Sequence, residues 1–246
     1  MPDVVGPVMD EIRVVHVVHS LGVGGLENGV VNLVTGPRSG IRHSIVCLTV
    51  AGSFRQRVEP GVAVLELGKR PGHDVRSVLR LAALLRRLRP DVVHSRNWAT
   101  FDAVVAARLA RVPVIVHGEH GRDIADPDGR HPLRNRWRRL LSPLVTRFVT
   151  VSDDLRRWLI AIVGIPQAKV TVICNGVDTD RFAPADPGEM RAALGLPREG
   201  TLVGTVGRLD PVKDQAGLIR AFAGLAREHA DVRLIVAGDG PCRADL

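Results

Sequence analysis

Ile12-Arg13-Val14-Val15-His16-Val17-Val18, followed by His19-Ser20-Leu21-Gly22-Val23-Gly24-Gly25-Leu26-Glu27, is the stretch that decides the fold. A β-branched run leads into a glycine-rich turn. Beyond the turn Leu26, Val30, Leu33 and Val34 recur at i, i+4, i+7 and i+8, the spacing of one buried helical stripe. Strand, glycine turn and helix are the first half of a βαβ unit. The glycines let backbone approach a ligand closely, and the helix start offers free N–H groups to an anion. A tight turn without a ligand is the plainer reading, and both stand at this point.

The same rhythm continues outward. Short apolar runs at Ser44 to Leu48, Val62 to Leu67, Asp91 to His94, Val112 to Val116, Phe148 to Val151 and Lys169 to Ile173 alternate with helical periods. Helices are predicted over Val75 to Arg89, Phe101 to Ala110 and Leu133 to Leu141, and from Asp153. Asp74 is placed to cap the first of these, and Pro90 to end it. Alternation of this kind predicts an α/β fold with a parallel sheet.

After Asp178 the texture changes to Ala183-Pro184-Ala185-Asp186-Pro187-Gly188, an interdomain linker or exposed loop. We therefore expect a first domain over residues 1–180 and the start of a second over 181–246. The second holds a strand Leu202 to Val206, a helix Asp214 to Arg227 and a strand Val232 to Ala237. One βαβ unit cannot cover both faces of its strands, so this part is expected to be marginal alone.

Composition narrows the function. Of 246 residues, 45% are hydrophobic and 24% charged, enough apolar surface for a sizeable core. The formal charge of +8 could serve nucleic acid, an anionic membrane or a phosphorylated substrate. With no tyrosine and five phenylalanines, stacking platforms for bases are scarce, which argues against nucleic acid. Cys47, Cys174 and Cys242 form no Cys-x-x-Cys pair, which fits a reducing cytoplasm. Met1 to Arg13 carries acids rather than a basic leader, and no apolar run reaches the roughly 18 residues of a membrane span. The expectation is a cytoplasmic protein, at most peripheral to the inner face of a membrane.

Three segments could carry chemistry. The glycine loop lacks the third glycine of a dinucleotide fingerprint, since Glu27 stands there, and Cys47-Leu48-Thr49 offers no ribose-binding acid. A nicotinamide enzyme is thus the weaker alternative. Val116-His117-Gly118-Glu119-His120-Gly121 ends a strand, where α/β ligands sit, and His120 could donate or accept near neutral pH. Gly207-Arg208 to Lys213-Asp214 sets two cations five residues apart after a strand, a possible diphosphate clamp. Asp126-Pro127-Asp128 has metal-site composition but sits in a loop with Pro and Gly, and reads as a turn. Arg134, Arg136, Arg138 and Arg139, interleaved with Trp137 and Leu140, read as a solvated helix face, with contact to acidic lipid headgroups as the alternative.

Gly24-Gly25-Leu26-Glu27, Asn175-Gly176-Val177-Asp178, the Gly207-Arg208 to Lys213-Asp214 pair and Gly238-Asp239-Gly240-Pro241 together resemble the retaining bacterial glycosyltransferases of group one or family four. Val17-Val18-His19-Ser20-Leu21 to Asn32-Leu33 looks like a branch linked to exopolysaccharide assembly. The resemblance implies two Rossmann-like domains of the glycosyltransferase-B kind, the first complete and the second incomplete. The acceptor would be held mainly by the first and the nucleotide sugar mainly by the second.

It also implies roles. Gly24 and Gly25 would face sugar and diphosphate, His120 would lie near the anomeric carbon, and Arg208 with Lys213 would stabilise the departing diphosphate. Asn175 and Gly238 would contribute to substrate binding. The donor would be a nucleotide-diphosphate sugar, used without metal or other cofactor, and the acceptor a glycan or lipid-linked acceptor in polysaccharide biosynthesis. Family members continue beyond Gly240-Pro241 to a glutamate pair, so little or no transfer is expected from these residues alone. The remaining alternative is a non-catalytic remnant or partner subunit.

Overall fold

The computed structural model describes residues 11–36, 40–70, 72, 74–123 and 125–246. Most of the N-terminal stretch read for a leader lies outside them. The β-branched runs form strands β1 (Ile12–Val18), β2 (Ile41–Cys47), β3 (Ala63–Glu66), β4 (Val92–Arg96), β5 (Val114–Glu119), β6 (Arg147–Thr150) and β7 (Val170–Val172). They make one parallel sheet in the order β3-β2-β1-β4-β5-β6-β7. Strand order therefore reverses between β1 and β4, which is where an open α/β sheet leaves a crevice beyond its strand ends.

Helices α1 (Gly25–Thr35), α2 (Val75–Leu88), α3 (Asp102–Leu109), α4 (Pro132–Leu141) and α5 (Asp153–Trp158) cross between the strands. Helix α5 runs on into a π-helical turn, Leu159–Val163. Local signals act where they were expected. The Asp74 carboxylate accepts from the Ser77 N–H, capping α2, and Arg89 ends it in the left-handed region before Pro90. Strand alternation divides the core: Val15, Val17, Val46, Val93 and Ile115 pack with α2 and α3 residues on one face, while Val18, Ile45 and α1 pack on the other.

One expectation about α1 needs correction. Its buried residues are Val30, Val31 and Val34, while Leu33 is 49% exposed and Leu26 only partly covered. At about 100° per residue, Val30, Val34 and Val31 span one arc and Leu33 falls roughly 100° from its centre. The spacing found the helix but chose the wrong edge of its stripe.

The chain divides into two compact units, Met1–Asn175 and Gly176–Leu246. In the second, Pro187 does not continue a loop: Asp186 accepts from the N–H groups of Gly188 and Glu189 and starts helix α6 (Pro187–Ala193). Proline at the first helical position needs no hydrogen bond, so a Pro-Gly pair after an aspartate can open a helix. Strands β8 (Thr201–Val206) and β9 (Val232–Ala237) pair in parallel around α7 (Gln215–Glu228). Only Leu209 and Gln215 of this unit are buried among the described residues. A single βαβ unit leaves its faces open, as its strand count requires.

Candidate active site

Register brings the site of the first unit together. His16 of β1 lies directly opposite His94 of β4, and Arg96 of β4 opposite Gly118 of β5. Paired residues share a face, so His16, His94, Arg96 and Gly118 line the α1 side near the strand-order reversal. The buried Arg96 guanidinium bonds His16 Nδ1 at 3.2 Å and His94 Nδ1 at 3.1 Å, and His16 Nε2 is 3.0 Å from His43 Nδ1. Burial lowers Arg96 to about 9, which still leaves it charged at neutral pH.

His120 follows β5 and is half-buried. Its backbone N–H donates to Asn97 Oδ1 at 2.7 Å, and the Asn97 N–H donates to the Gly118 carbonyl at 2.7 Å. Asn97 holds this bridge with φ 56° and ψ 174°, a backbone region that costs a non-glycine residue about 1–3 kcal/mol. Burial, then Arg96, lowers the His120 imidazole to about 4, with Glu119 pulling the other way. The ring is therefore neutral at physiological pH and can accept a proton or a hydrogen bond.

The opposite face holds a second buried group. Ser95 Oγ is 2.8 Å from His117 Nδ1, and Glu119 Oε1 accepts from Arg138 Nε at 2.8 Å. The Arg138 guanidinium lies 5.0 Å from the ring centroids of both Trp98 and Trp158. Burial would raise Glu119, but His117 and Arg138 outweigh it and hold the carboxylate below its ordinary range.

The arginine run of α4 is thus not a uniformly solvated face. Arg138 is buried, Arg134 pairs with Asp123 at 3.0 Å, and Arg139 donates to the Val163 carbonyl at 2.7 Å. Arg139 stays exposed despite that bond, and the face left to solvent beside it is Leu133, Arg136, Trp137 and Leu140. At 3.6 residues per turn only one part of the run can point outward, and guanidinium planes can be buried when stacked and paired.

The glycine loop opens α1 with Gly24 as an N-cap that has no side chain to offer. A side chain at Gly24 would collide with the Glu27 carboxylate, whereas Gly25 faces open space. Asp126 binds the N–H groups of Arg130 and His131, so the Asp-Pro-Asp segment is a turn. No cluster of three or more His, Cys, Asp or Glu side chains suited to a metal ion occurs among the described residues.

In the second unit Arg208 and Lys213 both follow β8. Arg208 Nη2 lies 3.1 Å from Asp210 Oδ2, which orients the guanidinium, while no carboxylate pairs with Lys213 among the described residues. The loops after β8 and β9 meet without side chains between them: a Cβ at Gly238 would strike the Gly207 carbonyl, and one at Gly240 the Leu209 carbonyl. Leu209 N–H donates to the Asp239 carbonyl at 3.0 Å. Gly238 thereby lets the Asp239 loop brace the backbone that carries Arg208. Asn175 is exposed, three residues after β7.

Sequence reading singled out His120, Arg208 and Lys213, passed over His94, Arg96 and Asn97, and read Arg138 as part of a solvated face. The signal was present for the three passed over, since His94-Ser95-Arg96-Asn97 ends a strand as Val116 to His120 does.

Comparison with known proteins gives the family. A model of Glycosyltransferase Family 4 matches residues 23–181, and one of Glycosyl transferases group 1 matches residues 186–246. The chain belongs to glycosyltransferase family 4. A D-inositol 3-phosphate glycosyltransferase of Mycobacterium tuberculosis (strain ATCC 25177 / H37Ra) is 35% identical over 176 residues, 69% of this chain and 36% of that protein. One from Mycobacterium leprae is 36% identical over 163 residues, 63% of this chain and 37% of that protein. The alignments thus span about a third of the length of these curated relatives. Among solved structures, Anabaena HepE in complex with UDP and glucose superposes with TM-score 0.69 at 22% identity, over 94% of this chain and 62% of that one. A sucrose-phosphate synthase from Thermosynechococcus elongatus gives 0.66 at 16% identity, over 95% and 64%. These likenesses show a shared fold. Membership in a transferase family sets the nicotinamide alternative aside. No helix among the described residues is long and apolar enough to cross a membrane.

Proposed function

We propose that the chain takes part in moving a sugar from a nucleotide-diphosphate sugar to a hydroxyl of a glycan or lipid-linked acceptor, with retention of configuration, in polysaccharide assembly. The observation that carries this reading is the Arg208-to-Lys213 loop, set on a strand end and braced by the Gly238-Asp239 loop. Two cations there, Arg208 oriented by Asp210, would neutralise charge that develops on a departing diphosphate, which needs no metal. The leaving phosphate would take the acceptor's proton on the face of departure, so no carboxylate base is required. Neutral His120 would contact the sugar in the first unit. The solved complex of HepE with UDP and glucose supports a nucleotide-sugar donor.

Isothermal titration of the chain with UDP tests the clamp. Arg208→Ala or Lys213→Ala should each weaken binding about tenfold, equivalent to about 1.4 kcal/mol. Unchanged affinity in both variants would remove these residues from the site. Absence of UDP binding by the unaltered chain would favour the alternative, a non-catalytic remnant or partner subunit.

A lipid-linked acceptor suits peripheral contact with an anionic membrane, and the outward face of α4 supports it. Leu133, Trp137 and Leu140 are 61%, 51% and 62% exposed beside Arg136. Apolar and basic groups on one helical face suit an interfacial position. Co-sedimentation with phosphatidylglycerol vesicles should fall severalfold in the Trp137→Ala, Leu140→Ala double variant. Equal sedimentation of variant and parent would rule this face out.

A further inference from the structure

The sequence holds two Asn-Gly pairs, Asn28-Gly29 and Asn175-Gly176, with the same local chemistry and opposite settings. In such a pair the glycine nitrogen can attack the asparagine side-chain carbonyl, because glycine carries no Cβ to hinder the approach. Ring closure needs that nitrogen free of a hydrogen bond and the asparagine ψ free to turn.

Helix α1 denies both to the first pair. The Asn28 N–H donates to the Gly24 carbonyl at 2.9 Å, and the Gly29 N–H belongs to the same helical ladder. Helical ψ at Asn28 holds the next nitrogen away from its side chain.

The second pair meets neither restraint. Asn175 and Gly176 are exposed in the irregular segment after β7, and neither the Asn175 side chain nor the Gly176 N–H has a hydrogen-bond partner among the described residues. A Cβ at Gly176 would meet nothing within 4 Å, so the space around the pair is open. The nearest ties lie on either side of it. Ile173 N–H donates to the Thr150 carbonyl at 2.8 Å, and the Asp178 carboxylate accepts from the N–H groups of Asp180 and Arg181.

We infer that Asn175 is a site of spontaneous covalent modification, converting to aspartate and isoaspartate through a cyclic imide, while Asn28 is protected. The Gly176 nitrogen gives its proton to solvent base and bonds to Asn175 Cγ. The Cγ–Nδ2 bond breaks, and ammonia leaves with a proton from solvent. Water then opens the imide: addition at Cγ gives aspartate, and addition at the main-chain carbonyl carbon gives isoaspartate. The balance is one water consumed and one ammonia released. Either product adds a negative charge close in sequence to Asp178 and Asp180. Isoaspartate also puts one more atom into the main chain where the two compact units join. None of this rests on the transfer reading.

Incubation of the full chain in mildly alkaline oxygen-18 water, followed by tryptic digestion in ordinary water, tests the inference. Peptides 170–181 and 14–38 separate the two pairs. Peptide 170–181 should exchange an amide nitrogen for oxygen-18, a rise of about three mass units, and electron-transfer fragmentation should find isoaspartate at position 175. Asn28 should change at least about tenfold more slowly, which a helix-opening free energy of about 1.4 kcal/mol suffices to give. Gly176→Ala should slow the reaction at Asn175 severalfold. Gly176 lies outside the left-handed region and has room for a methyl group, so that variant keeps the fold. No change at Asn175, equal rates at the two asparagines, or no slowing by Gly176→Ala would each overturn the inference. Aspartate without isoaspartate would overturn the cyclic imide.

Discussion

Glu119→Ala should cost the first unit about 3–5 kcal/mol of stability, the range expected when one partner of a buried ion pair is removed. The carboxylate is 1% exposed, and its loss leaves the Arg138 charge, 5% exposed, without a counter-ion. Arg138→Ala should cost a similar amount, because it strands the carboxylate and empties the space between Trp98 and Trp158. In a domain of this size such a loss lowers the melting temperature by on the order of 10 °C. Urea unfolding followed by tryptophan fluorescence suits the measurement, since both rings flank the guanidinium. The double variant Glu119→Leu, Arg138→Met should recover much of the loss, as apolar replacements of buried pairs often do. Single variants within 1 kcal/mol of the parent would mean that water reaches this pair.

Acidification should destabilise the chain well before its carboxylates titrate. His16, His94 and His120 are all held below the ordinary histidine value of 6.5, chiefly by burial, and His120 to about 4. Between these values the unfolded chain binds more protons than the folded one. Stability therefore rises with pH across the window and is lost as pH falls from 6.5 toward 4. Each tenfold difference in proton affinity corresponds to about 1.4 kcal/mol, so His120 alone contributes on the order of 3 kcal/mol by the bottom of the window. Urea midpoints at a series of pH values between 7 and 4.5 should fall steadily, and His120→Asn should flatten the slope. A level profile from pH 7 to 5 would show that these imidazoles are not buried neutral. The same property keeps His120 available as an acceptor at neutral pH, which its proposed contact with the sugar requires.

The two effects differ in what a sequence reader could have foreseen. Glu119 and His120 stood in a segment already marked by its place at a strand end. Arg138 did not: its run of arginines has the composition of a solvated face, and only packing between two tryptophans distant in sequence makes it a core residue. His94 and Arg96 also ended a strand, yet their neighbours His16 and Gly118 come from other strands and are set by register.

The sequence by itself determined the alternation of strand and helix, the cap at Asp74, the end of α2 before Pro90 and the family. Each depends on period, on a turn residue or on a short ordered motif, all of which act over a few neighbours. Tertiary structure alone decided that Val31 rather than Leu33 faces the core, that Asp186 opens a helix, that Arg138 is buried, and that the Arg96 guanidinium meets both His16 and His94. Those outcomes depend on which strands lie side by side and in which register. A one-residue shift would carry His94 to the other face of the sheet.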